Sequence, residues 1–86
     1  MSTFKLTIAS LDGNKFSDEA QMLTVRGIEG DLAIMAGHIP FITALQPCDC
    51  KIVLPDGTEK IGAVDGGLLT VSEKGATLLS GSFQWK

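Results

Sequence analysis

Eighty-six residues suit one small domain. A chain of that size buries about 60 to 65% of its unfolded surface, enough for one modest core and no second domain. Apolar residues make up 44% of the chain and charged residues 20%, a globular composition that excludes intrinsic disorder. Ten acidic against seven basic residues give a net charge of −3, and no run of Lys or Arg can neutralise several phosphates together, so nucleic acid is excluded as a partner.

Met1 to Ser10 has neither a basic n-region nor an apolar h-region, and no apolar run approaches the ~20 residues of a bilayer span, so no direct bilayer insertion is expected. In the first segment Phe4, Leu6 and Ile8 alternate with Lys5, Thr7 and Ala9, the period-two pattern of a half-buried strand. Asp12-Gly13-Asn14 reads as a hairpin tip. Ser17 to Met22 reads as strand or loop, because the Leu23 to Arg26 that follows is strand material. Leu23 with Val25 and Leu32 with Ile34 continue the alternation around breaks at Gly27 and Gly30, and Gly37-His38-Ile39-Pro40 is a further break. Cys48, Cys50, Ile52 and Leu54 then alternate with Asp49, Lys51 and Val53, and Pro55-Asp56-Gly57 closes a hairpin. Ile61 with Ala63, Leu69 with Val71, and Ala76 with Leu78 are the remaining inward pairs, separated by Asp65-Gly66-Gly67 and Glu73-Lys74-Gly75. Turns spaced roughly eight to fifteen residues apart predict one all-β domain over residues 1–86, a sandwich or barrel.

The parts of an active site are scarce. His38 is the single histidine, and it completes no recognisable triad with Asp65 and a serine because no Gly-x-Ser-x-Gly elbow occurs. No Gly-Lys-Ser/Thr phosphate cradle is present either. Cys48 and Cys50, at i and i+2 of a strand, lie about 6.5 to 7 Å apart on one face, too far for a relaxed disulfide, and read as reduced core thiols. With His38 they still fall short of a four-ligand structural zinc site. No catalytic residue, cofactor or metal is therefore expected. Ile28, Met35, Ile39, Phe41, Phe83 and Trp85 fit no inward strand face and predict an adhesive surface.

The stretch Gly27-Ile28-Glu29-Gly30-Asp31-Leu32-Ala33-Ile34-Met35-Ala36-Gly37-His38-Ile39-Pro40 resembles the Gly-x-Glu-Gly-(Asp/Glu)-(Leu/Phe)-(Gly/Ala)-Ile-x-Pro-Gly-His-x-Pro segment of the epsilon subunit of rotary ATP synthases. Phe4 to Ser10, Phe41-Ile42-Thr43-Ala44-Leu45, Asp65-Gly66-Gly67-Leu68-Leu69-Thr70-Val71 and Ala76 to Ser80 extend the resemblance over about residues 3 to 81. Ala36 and Ala33 depart from it, standing where proline and often glycine occur.

The resemblance implies a flattened β-sandwich of about ten short strands, a non-catalytic part of the rotor that links the gamma subunit to the c-ring. It implies that Ile28, Glu29, Gly30 and Asp31 face the polar loops of the ring, which carry Arg and other donors, and that Met35, His38, Ile39 and Phe41 face gamma. It also implies a peripheral position on the cytoplasmic face of an energy-transducing membrane, the bacterial inner membrane. Family members usually continue into an inhibitory helical hairpin that in some members binds ATP. Here Gly81 is followed by Ser-Phe-Gln-Trp-Lys, so the expectation is a naturally short subunit that lacks the hairpin and binds no nucleotide. A β-sandwich of another family, holding a small ligand in an apolar pocket between its sheets, is the alternative reading.

Overall fold

Phe4, Leu6 and Ile8 are buried while Lys5 turns outward, and this alternation sets the inward face of the first strand, β1 (Phe4–Ser10). The same logic builds the rest of a computed structural model that describes residues 3–37 and 40–86. β2 (Gly13–Ala20) returns antiparallel to β1 after the turn at Leu11-Asp12, with a register shift between Ile8 and Ala9. β3 (Met22–Gly27) and β4 (Gly30–Met35) form a second hairpin. β5 (Phe41–Val53) and β6 (Glu59–Ser72) form a long third one. β7 (Gly75–Leu79) and the short β8 (Phe83–Trp85) complete the eight strands. At the β5–β6 tip the Asp56 carboxylate accepts the Thr58 N–H at 2.9 Å, which holds its pKa below the usual carboxylate value.

The strand order is β2-β1-β7-β6-β5-β3-β4, with β8 also on β6. Seven strands side by side would make a ribbon about 29 Å wide and one layer thick. The molecule instead measures 31 × 24 × 20 Å, and one core holds Leu6 and Ile8 of β1 together with Leu23 of β3 and Ile34 of β4. The sheet therefore folds over on itself into two layers, whose expected separation is about 10 Å. β6 shows how: its second half pairs β7 through Leu68–Ser72, and its first half pairs β8 through Gly62–Val64. The layers also meet where the Phe16 ring of β2 lies 6.1 Å from the Trp85 ring of β8.

The facing of both long strands reverses between the layers. On β6, Leu69 and Val71 are buried in one layer, but Gly62 and Val64 are buried in the other. On β5, Leu45 points inward and then Cys50 and Ile52 do. The reversal falls at Gln46-Pro47 opposite Asp65-Gly66. There the buried Ser80 hydroxyl lies 2.6 Å from the Gly66 carbonyl oxygen and 2.8 Å from that of Ser82. A polar crossing satisfied in this way avoids the cost of a buried hydroxyl without a partner.

Three expectations change. The strands number eight among the described residues rather than about ten, because β5 and β6 each run as one strand through both layers. Ile61 is 40% exposed and Gly62 and Val64 take the inward places, because the reversal ahead of Leu69 shifts the phase of β6 by one residue. Two of the expected surface aromatics turn inward: Phe83 is 2% exposed and its ring covers the bare Cα of Gly62, and Phe41 is half-buried against the core. The remaining alternation agrees with the structure, and Cys48 and Cys50 are free thiols, the first half-buried and the second buried. No helix among the described residues is long and apolar enough to cross a membrane.

Candidate functional site

The four residues expected to face a ring occupy one hairpin tip. Gly27 pairs with Gly30, leaving Ile28 and Glu29 as the two turn residues, with Gly30 at φ +133°. A Cβ on Gly30 would meet nothing within 4 Å, so conformation rather than space calls for glycine there. Two hydrogen bonds fasten the root of the tip to β5: the Gln46 side-chain amide donates to the Gly27 carbonyl at 2.9 Å, and the Ile28 N–H donates to the Ala44 carbonyl at 3.1 Å. Beyond that root Ile28 is 62% exposed, and Glu29, Gly30 and Asp31 are exposed.

Asp31 is already engaged. Arg26 stands opposite it across the hairpin and donates from Nε to Oδ1 at 2.9 Å. That hydrogen bond, and then the carboxylate's charge, hold the guanidinium pKa above its ordinary value. Sequence reasoning missed Arg26, although a two-residue turn at 28–29 is enough to place residue 26 opposite residue 31.

The backbone beneath Arg26 is irregular. β3 and β5 lose their register between Thr24 and Gly27, and in place of a ladder carbonyl the Arg26 N–H meets the Cys48 sulfur at 3.4 Å. An open cleft of about 450 Å³ lies there, bordered by Arg26, Asp31, Pro47, Cys48 and Asp49. Its mixed, charged lining is unlike the apolar pocket that a small-ligand sandwich needs. Among the described residues no group of three or more His, Cys, Asp or Glu could hold a metal ion.

The second expected set is only partly described. Met35 ends β4 with 54% of its surface exposed, while Phe41 opens β5, half-buried against the core. His38 and Ile39 lie outside the described residues. The six residues of β4 separate Gly30 from Met35 by about 17 Å, so Met35 and the tip sit at opposite ends of one strand.

A third surface escaped the sequence reading. Ala9, Leu79, Leu68 and Ala44 line up across β1, β7, β6 and β5, and beside them run Thr7, Thr77, Thr70 and Ile42. These two rows contain no charged residue, and Ile42, Leu68 and Leu79 are 67%, 41% and 48% exposed. On β1, β7 and the second half of β6 their signal was the outward phase of strands whose inward residues the alternation identifies, whereas the start of β5 carried no such reading, because Phe41 was expected to face outward.

Two solved structures share this architecture. A chain of the Euglena gracilis mitochondrial ATP synthase structure containing OSCP, F1 and c-ring superposes with a TM-score of 0.92 at 18% identity, covering 99% of this chain and 54% of that one. A chain of the Tetrahymena thermophila mitochondrial ATP synthase central stalk and c-ring superposes at 0.80 with 13% identity, covering 95% and 66%. At such identities the likeness shows the fold. In sequence, the chain is 39% identical over 80 residues to the ATP synthase epsilon chain of Psychrobacter sp. (strain PRwf-1) and 36% identical over 80 residues to that of Acinetobacter baumannii. Both matches cover 93% of this chain and 58% of the relative, so the chain spans a little over half the length of these curated relatives. The family described as the ATP synthase delta/epsilon chain β-sandwich domain matches residues 3–86, and the chain belongs to that family.

Proposed function

We propose that this chain is a non-catalytic rotor part of a proton-translocating ATP synthase, joining a gamma subunit to the ring of c subunits. A part that transmits torque needs stiffness and two adhesive surfaces, and no reaction chemistry. The observation that carries the reading is the β3–β4 hairpin, which separates an exposed Ile28-Glu29 tip from Met35 by the length of one strand whose inner face is locked into the core. The tip is assigned to the polar loops of the ring, and Met35, Phe41 and the His38-Ile39 segment to gamma. The uncharged rows around Ile42, Leu68 and Leu79 suit packing against protein rather than water. The chain works as one unit, held peripherally at the cytoplasmic face of the membrane by these contacts.

Co-purification tests the assignment. Tagged chain, expressed with the other subunits, is expected to bring down gamma and the ring together, and recovery of the chain alone would remove the reading. In reconstituted vesicles, Glu29→Lys combined with Asp31→Lys is expected to lower ATP-driven proton pumping while hydrolysis by the head persists. Unchanged pumping would detach the tip from the ring.

A further inference from the structure

We infer that Arg26 is a positioning residue that pins Asp31 within the hairpin and balances its charge, so that the tip presents Glu29 as its one uncompensated carboxylate and Ile28 as its apolar anchor. This rests on the proposed ring-facing role of the tip. The geometry is specific. Arg26 and Asp31 are a directly opposed cross-strand pair, joined through Nε at 2.9 Å, with both side chains more than half exposed. Arg26 is also tied from below, because its N–H meets Cys48 Sγ at 3.4 Å where β3 leaves β5. The guanidinium therefore leaves its strand at a fixed place.

Charge counting then decides what a partner meets. Arg26, Glu29 and Asp31 sum to −1, and because the Arg26–Asp31 pair is internally neutral, that single charge sits at the turn itself. A ring loop bearing a cation is drawn to Glu29, beside Ile28, which is 62% exposed. Removing Asp31 is then worse than losing a contact, because it uncovers a cation facing cations. Removing Arg26 does the reverse and frees a second carboxylate.

The test measures binding of the full chain to its gamma-bound ring in nanodiscs across a salt series. Asp31→Asn is expected to weaken binding about three- to tenfold, and Arg26→Gln to tighten it with a steeper fall in salt. The double variant is expected to return to within about twofold of the parent, and Arg26→Lys, which keeps the charge, to stay near it. Ile28→Ser and Glu29→Gln should each weaken binding. In the free chain the Arg26 Nε–H resonance should exchange slowly with water, and Asp31→Asn should abolish that protection, a change that loss of stability alone does not produce.

If the double variant is as weak as Asp31→Asn and Arg26→Gln changes nothing, Asp31 touches the ring itself and the inference is overturned while the ring-facing reading stands. If Ile28→Ser and Glu29→Gln are also without effect although gamma binding is intact, the ring-facing reading fails and takes the inference with it.

Discussion

Gly67 and Gly30 have similar backbone angles, φ +152° and +133°, and opposite surroundings. Around Gly30, at the hairpin tip, there is open space, whereas a Cβ on Gly67 would overlap the carbonyl of Leu79 on the neighbouring strand. Gly62 shares that crowding, since a Cβ there would lie 2.9 Å from Cε2 of Phe83 and closer still to its Cζ. One region of the molecule is thus a seam in which β6 is pressed against its sheet neighbours β7 and β8, and the other is a tip held out into solvent. The same residue type serves packing in the first and turn geometry in the second. The seam should answer to changes of volume, and the tip only to changes of conformation or charge.

The largest test of this contrast is Phe83→Ala, expected to cost about 3–5 kcal/mol by urea unfolding, because the ring fills the seam over Gly62. Adding Gly62→Ala should recover part of that loss, since the new methyl group occupies space the ring has left. If the two costs simply add, Phe83 does not act through Gly62. Gly67→Ala comes next, at about 2–3 kcal/mol, from overpacking against the Leu79 backbone. A melting temperature equal to the parent's would show that the seam yields.

Alkali probes the seam without changing its volume. Burial, and secondarily the neighbouring Cys48, push the Cys50 thiol up to about 12 from 9.0. Between those values the unfolded chain has released a proton that the folded chain retains. The stabilisation is whole below pH 9 and declines as pH rises toward 12, by up to about 1.4 kcal/mol per pH unit. Stability measured from pH 8 to 11 should show this decline, and Cys50→Ala should flatten it. An identical slope in the variant would assign the alkaline loss to other groups.

The tip should give the smallest effect. Gly30→Ala forces a side chain into a left-handed conformation with no clash to add, and about 1–2 kcal/mol is expected. A loss as large as that of Gly67→Ala would erase the distinction between the two regions.

The sequence alone carried much of this protein. Phe4, Leu6 and Ile8, or Leu23 and Val25, announce their buried face because one strand packs on one side and period two is a local property. The hairpin at 27–30 was legible for a similar reason, since turn chemistry needs only neighbouring residues. Nothing local shows that β6 reverses its facing at Asp65-Gly66. That follows from the strand crossing between layers, and it is why Val64 rather than Ile61 or Ala63 is buried. Nor does alternation reveal that Phe83 covers Gly62, or that Thr and Leu side chains from four strands merge into one uncharged face. Periodicity and turns are written within a few residues, so the sequence determined most inward faces, the hairpin turns and the exposed tip, though not that β6 runs unbroken through Asp65-Gly66-Gly67. Which strands become neighbours, which side of a long strand meets the core and which charges find each other depend on contacts between residues far apart in the chain, and only the folded-over sheet decided them.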